Sequence, residues 1–294
     1  MMEPAVHVIG AGLAGLAAAV RLAGGPRHIV LHEAARQAGG RCRSYYDPAL
    51  GMTLDNGNHL LLSGNHDALC YLAVTGGEDQ LGGPPEAEFA FADLASGERW
   101  RLRPNKGRLP WWIFSPRRRV PGTTPSDYFS VIRLLLASRD APIGMVMRGG
   151  GAAYERLWRP FFLAALNTDP EEGSAHLAAA VVWETLSKGG RACQPLVAAN
   201  GLSAAFVDPA LSYLERHGAK FNFDHRLRAI EFANGRAVCL DFGEVQVRLS
   251  AEDRVVLAVP PQAACGLVPG LQTPKACRAI VNAHFRIPPP RNLP

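Results

Sequence analysis

The chain has 294 residues, 48% of them hydrophobic, with mean hydropathy of −0.01, and these values predict a soluble globular protein of one large or two ordinary domains. Its 30 glycines and 23 prolines are scattered without period, which excludes a collagen-like or low-complexity polymer and points to many turns. The net charge of +5 is concentrated in one stretch rather than spread over the chain, and no nucleic-acid-binding motif accompanies it, so no nucleic-acid partner is expected.

In chain order, the first element is a strand at Ala5–Ile9 (AVHVI), a short β-branched run that stops at a glycine. Gly10-Ala11-Gly12-Leu13-Ala14-Gly15 follows, then an Ala/Leu/Val helix closed by Gly24-Gly25. In this strand–turn–helix, Gly10 permits the tight turn, Gly12 lets a pyrophosphate approach the backbone, and Gly15 lets helix and strand pack closely. The helix N-terminus at Leu13 and Ala14 presents unpaired N–H groups and a positive dipole end. This opening stretch lacks a basic leader and is interrupted at 10, 12 and 15, so it reads as neither a signal peptide nor a membrane span. No other stretch approaches 18 uninterrupted apolar residues, so any membrane contact is expected to be peripheral.

The next strand is His28–His32, with Glu33 and Ala34 at its carboxyl end, and Glu33 falls 18 residues after Gly15. An acid there accepts ribose hydroxyls and repels a 2′-phosphate, which favours NAD or FAD over NADP. Gly39-Gly40-Arg41 then offers close backbone approach and a bidentate guanidinium, a second phosphate clamp that suits an extended, enclosed FAD better than NAD.

Between Arg99 and Arg119 the chain reads RWRLRPNKGRLPWWIFSPRRR, either a solvated arginine-rich loop packed by tryptophans or an interfacial contact with an anionic membrane surface. Three helical runs follow: 126–140, with Tyr128, Ile132, Leu135 and Leu136 on a common apolar face; 154–166, broken by Pro160; and 174–188, stopped by Gly189-Gly190. Residues 201–218 read as a helix N-capped by Ser203, and 226–250 as a meander turning at Asn234-Gly235. The strand DRVVLAVPP (253–261) comes next. The six cysteines show no paired spacing, so neither a disulfide framework nor a metal site is expected, and a reducing cytoplasm fits best.

VIGAGLAGLAAAVRLA together with EAARQAGGRCRS resembles the flavin amine oxidase and phytoene desaturase superfamily, and Asp55-Asn56-Gly57-Asn58-His59 resembles its segment beside the isoalloxazine. A finer similarity is to the hydroxysqualene dehydroxylase family. It is carried by LDNGNHLLLSGN (54–65), RWRLRPNKGRLPWWIF (99–114), RRVPGT (118–123), ERLWRPFFLAALNTDPEEGSAHLAA (155–179), ANGLSAAFVDPAL (199–211) and IVNAHFR (280–286).

The resemblance implies an α/β fold with a Rossmann-like FAD-binding domain at 1–60 and 198–262. Residues 61–197 and 263–294 would form an inserted, mostly helical substrate domain. It also implies reduction of hydroxysqualene to squalene by reduced FAD, an apolar isoprenoid substrate and other enzymes of squalene synthesis as partners. Adenine contacts are implied for the backbone of Leu227, cofactor contacts for Asn56, Gly57 and Asn58, and an acid role for His59 or Asp55. A later glycine-aspartate segment of the superfamily has no counterpart before Pro294, so an incomplete cofactor wall is expected. Two alternatives stand beside this reading: a related carotenoid-type desaturase or amine oxidase, and an inactive FAD-binding remnant.

Overall fold

A computed structural model describes residues 3–57 and 59–288, and these fall into two compact units. The first takes the described residues of 1–58, 68–81 and 198–284; the second takes those of 59–67, 82–197 and 285–294.

In the first unit, Ala5–Ile9 forms strand β1, Leu13–Leu22 forms helix α1 and His28–His32 forms strand β2. β1 pairs in parallel with β2, from Ala5 opposite His28 to Ile9 opposite His32. It pairs on its other edge with Arg254–Leu257, while Lys220–Asn222 pairs with β2, giving a four-stranded parallel sheet. β1 does not alternate because helices cover one face of the sheet and a second layer covers the other. On one face Val6, Val8, Ile29 and Leu31 pack against Leu16 and Ala19 of α1 and against Leu214 of the Asp208–Arg216 helix. On the other, Ile9 packs with Leu227, Leu240, Phe242 and Leu267, below the antiparallel strands Ala229–Ala233, Arg236–Asp241 and Gln246–Arg248. Asn234 and Gly235, at φ 52° and 74°, form the expected hairpin turn. The hairpin of β3 (Ser44–Asp47) and β4 (Met52–Asp55) completes what bears on the site.

Two segments sit in the first unit rather than in the second. Within 68–81, Tyr71 donates its hydroxyl to the Phe206 carbonyl (2.8 Å). Within 263–284, Leu267 belongs to the Ile9 core and Asn282 donates to the Asn56 carbonyl (3.3 Å). Their apolar and polar partners thus lie on the parallel-sheet unit.

The second unit is built around aromatic packing. Trp112, Tyr128, Trp158 and Phe162 are buried together, with Trp112 edge-on to Tyr128 at 5.0 Å and Trp158 stacked on Phe162 at 6.0 Å. Arg156 lies 4.2 Å over the Trp100 ring and pairs with Glu98 at 2.6 Å.

Three local expectations are corrected. The 126–140 run is a 3-10 helix at Pro125–Leu136, whose period of three puts Tyr128, Val131, Leu134 and Ala137 on the core. Ile132, Leu135 and Leu136, expected on the core with Tyr128, are instead 49%, 53% and 86% exposed. Pro160 does not break its helix: a π turn at Tyr154–Trp158 leads directly into Arg159–Leu166. Ser203 is not an N-cap, because a second π turn at Ser203–Val207 precedes Asp208–Arg216, and its Oγ accepts from the Ser44 amide (2.7 Å). Both π turns end just before an X-Pro pair, where the wider turn relieves the clash between the proline ring and the carbonyl four residues back.

On the meander side of the sheet three imidazoles form a ladder. His7 Nδ1 lies 3.0 Å from His32 Nε2, His32 Nδ1 lies 3.0 Å from His225 Nδ1, and Phe242 stacks on both His32 and His225. Burial pushes all three pKa values down, that of His32 to about 3, with the neighbouring histidines adding to its shift and Asp253 opposing that of His7. The unfolded chain, with ordinary values near 6.5, then binds protons that the folded chain refuses. Stability is full above about pH 6.5 and falls as pH drops toward 3, by up to about 1.4 kcal/mol per pH unit for each histidine that stays neutral in the fold. Urea midpoints measured from pH 7 to 4 will show this decline, and His32→Leu will flatten it; equal slopes in the two proteins would rule the ladder out as its source.

Candidate cofactor site

The site begins with contact between backbone and backbone. Gly10 turns out of β1 at φ 100° and donates its amide to the His32 carbonyl (2.7 Å), where a Cβ would meet the Ala258 oxygen at 2.6 Å. A Cβ on Gly15 would stand 1.8 Å from the Gly10 oxygen, so α1 can lie this close to the turn only without a side chain there. Gly12 differs: a Cβ on it meets nothing within 4 Å, and the backbone at φ −71° would accept alanine. The chain itself therefore does not require glycine at position 12; a ligand lying against that backbone would. No side chain caps α1 and no acid stands in its first turn, which leaves the N–H groups around Leu13 and Ala14 facing outward on exposed residues.

Glu33 braces this turn from β2. One carboxylate oxygen accepts from the Ala11 amide (2.7 Å) and the other from the Ala35 amide (2.9 Å), on either side of exposed Ala34. A carboxylate offers about four acceptor positions, so two remain for ribose hydroxyls. Gly39, at φ 104°, donates to the Ala11 carbonyl (2.8 Å), and a Cβ on Gly40 would be 3.3 Å from the Gly12 Cα. The second glycine pair is thus laid against the first turn. Arg41 follows in the 3-10 turn Gly40–Cys42, exposed and, among the described residues, without a carboxylate partner. Burial, and then Asp55, push the neighbouring Cys42 thiol up to about 11, so it stays neutral.

Asn56 joins these segments: its amide donates to the Arg43 carbonyl (3.0 Å) and its Nδ2 lies 3.5 Å from the Arg41 carbonyl. Gly57 is buried, and Asn58 lies outside the described residues. Leu227 is 8% exposed with Ile9 and Leu240, and its backbone has no hydrogen bond to a described residue. Asp55 already has bonding partners. Its Oδ1 accepts from Ser44 Oγ (2.6 Å) and the Leu202 amide (2.8 Å), while Ser44 and Ser203 exchange two further bonds of 2.7 and 2.9 Å. This clamp ties the β3–β4 hairpin to the turn at Gly201, at φ 94°, and no local spacing signals it because its partners are about 150 residues apart. His59 is exposed and belongs to the second unit.

The donor set fits a dinucleotide: helix amides and Arg41 for a pyrophosphate, Glu33 for a ribose, and an open face at Gly12 between them. The flavin-containing amine oxidoreductase family matches residues 13–287. The chain is 52% identical to the hydroxysqualene dehydroxylase of Rhodopseudomonas palustris over all of its length and 70% of that protein's. It is 49% identical to the one from Sinorhizobium fredii, covering 98% of this chain and 69% of the relative. The chain belongs to the flavin-containing amine oxidoreductases, as a hydroxysqualene dehydroxylase family member. Its cofactor is FAD.

Solved structures share the family's fold: a putative protoporphyrinogen oxidase from Exiguobacterium (TM-score 0.62, 21% identity) is matched over 92% of this chain and 63% of that one. Cyclohexylamine oxidase from Brevibacterium oxydans (TM-score 0.60, 20% identity) is matched over 90% and 60%. The chain therefore spans about 70% of these two hydroxysqualene dehydroxylases and less than two thirds of these solved chains.

The two glycines separate fold from cofactor. Gly12→Ala will leave the melting temperature close to that of the parent but weaken FAD binding at least about tenfold, because the methyl occupies only ligand space. Gly15→Ala will lose both stability and FAD, because the methyl meets the Gly10 carbonyl. Circular dichroism melts and fluorescence titration with FAD read the two effects, and full FAD affinity in Gly12→Ala would place the pyrophosphate elsewhere. Asp55→Asn keeps an acceptor for Leu202 and Ser44, whereas Asp55→Ala strands both and will cost about 1–3 kcal/mol in urea melts.

Proposed function

We propose that this chain reduces hydroxysqualene to squalene, breaking the allylic C–O bond and forming a C–H bond in its place. The reading rests on the FAD cradle assembled around Gly12, together with the names of the relatives that share half of its residues. Bound and reduced, FAD supplies the hydride. The oxygen leaves as water and needs a proton, and we assign its delivery to His59, which opens the second unit in the segment after Gly57. Asp55 is assigned to positioning, since its Oδ1 already holds Ser44 and Leu202. Gly39, Gly40, Arg41, Asn56, Asn58 and the Leu227 backbone are assigned to cofactor contact, with the first unit as the FAD domain and the second as the substrate domain.

Anaerobic single turnover in D2O, where the transferable hydrogen of the reduced flavin exchanges with solvent, will yield squalene with one deuterium at the carbon that bore the hydroxyl. Unlabelled squalene would overturn the hydride route. His59→Gln will lower kcat by about 10²–10⁴ with little change in KM, while Asp55→Asn keeps most of its turnover; the reverse ranking would move the proton to Asp55.

The same reading places the enzyme at the inner membrane surface, where an apolar substrate passes from other enzymes of squalene synthesis. No helix among the described residues is long and apolar enough to cross a membrane. Within 99–119, Arg101 and Arg103 are engaged with Glu88 (2.6 and 2.7 Å) and Trp112 is buried, which removes them as anchors. Leu109 and Trp111, each 65% exposed, and Phe114, 55% exposed, remain beside exposed Arg108, Arg117 and Arg118. Trp111→Ser with Phe114→Ser will reduce co-sedimentation with anionic vesicles several-fold, and unchanged sedimentation would return the stretch to a solvated loop.

A further inference from the structure

A cleft of about 380 Å³ opens in the second unit between the Pro125–Leu136 helix and the segment 147–154, and none of its lining residues is one assigned above to cofactor or proton transfer. Arg133 and Arg148 supply guanidinium donors to its lining, and among the described residues neither pairs with a carboxylate; the Ser126 and Ser130 hydroxyls, also in the lining, are engaged with Thr124 Oγ1 (2.8 Å) and the Asp127 carbonyl (2.9 Å). Asp127, the acid of the lining, is turned into the helix cap, where one carboxylate oxygen accepts from both the amide (2.7 Å) and the hydroxyl (3.0 Å) of Thr124. Tyr154 also lines the cleft; the residue is 5% exposed, and its hydroxyl is buried with no hydrogen-bond partner. A buried phenol without a partner costs on the order of 1–3 kcal/mol, which a ligand acceptor at this position would recover. Burial, and then Glu171 among the nearby charges, push the Tyr154 pKa up, so the group remains a donor.

A smaller part of the lining is apolar. Phe129 and Met147 face the same space, and Phe129 begins the i, i+3 stripe of the 3-10 helix that continues through Ile132 and Leu135, each about half exposed. Two guanidiniums without carboxylate partners, each with up to about five N–H donors, and a phenol exceed what a carboxylate can accept, and they match the three or four oxygens of a phosphate. The stripe beside them suits a hydrocarbon chain attached to that phosphate.

We propose that this cleft binds the phosphate group of an amphiphile, with its apolar chain running along Phe129, Ile132 and Leu135. Two sources carry this chemistry: a phospholipid headgroup and an isoprenoid diphosphate. The site does not depend on the dehydroxylation reading, and the following measurement involves no turnover.

Isothermal titration of the full chain against dihexanoyl phosphatidylglycerol below its micelle concentration, geranyl diphosphate and inorganic phosphate tests the site. At least one of the two amphiphiles will bind about tenfold or more tightly than inorganic phosphate, and the tighter of the two names the source. Arg133→Gln with Arg148→Gln will lose at least tenfold of that affinity, and Tyr154→Phe, which keeps the buried ring, about three- to tenfold. Melting curves verify that the variants are folded. Equal binding by the double variant and the parent would overturn the site, as would amphiphile binding no tighter than that of inorganic phosphate.

Discussion

The first unit depends on how closely α1 can approach the turn it leaves. With a Cβ on Gly15 excluded at 1.8 Å from the Gly10 oxygen, the helix axis is set by backbone contact and not by side-chain packing. That contact aims the uncapped amides of α1 past the end of β1 and beside the end of β2, because Gly10 is hydrogen-bonded to His32. Every group proposed to hold the pyrophosphate in this unit is positioned relative to those amides. A packed side-chain interface would tolerate rotations that a carbonyl at van der Waals distance does not.

The second layer of the site is fastened to the first by main-chain and carboxylate bonds rather than by apolar burial. Glu33 holds the Ala11 and Ala35 amides, and Gly39 donates to Ala11, so the glycine turn and the Arg41 loop share one residue as their anchor. Glu33 therefore has two roles: its spent lone pairs hold the turn in shape and its remaining ones face outward. Replacing it with a neutral residue of other geometry would release the Ala11 and Ala35 amides together. The carboxylate of Asp55 acts in the same way further along, where its bonds decide the position of the Gly201 turn and so of the helix that packs on α1.

The strands, α1 and the glycine geometry were legible because each is a local consequence of a short pattern. Ala5–Ile9 and His28–His32 have the boundaries expected from β-branched runs stopped by glycine or by the acid, and the Asn234-Gly235 turn follows from the φ > 0 tolerance of that pair. What was not legible depends on distant partners. Ser44, Asp55, Leu202 and Ser203 meet across about 150 residues, and Ser203 read as a cap because the local string alone supports one. The histidine ladder joins β1, β2 and the loop after Asn222, which no single window contains. Residues 68–81 and 263–284 belong to the first unit through long-range contacts such as Tyr71 to Phe206 and Asn282 to Asn56, and composition carries no sign of these.

The misread face of Pro125–Leu136 has one cause, the assumption of a 3.6-residue period. A 3-10 helix advances 120° per residue, so an apolar sequence laid on it divides into three rows instead of one broad face. In Pro125–Leu136 one row, Tyr128-Val131-Leu134, is taken by the aromatic core, and the adjoining row, Phe129-Ile132-Leu135, is left in solvent although it is equally apolar. An α-helix over the same residues would have moved Ile132 and Leu135 toward the face of Tyr128 and hidden more of this surface. Tyr128 opposes that rewinding: its hydroxyl accepts from the Val120 amide (2.9 Å) and lies 3.0 Å from Thr123 Oγ1, while its ring packs on Trp112. The exposed row is thus a consequence of how the core is pinned, and its apolar side chains are left beside the cationic cleft at Arg133 and Arg148 by the same geometry that buries Leu134.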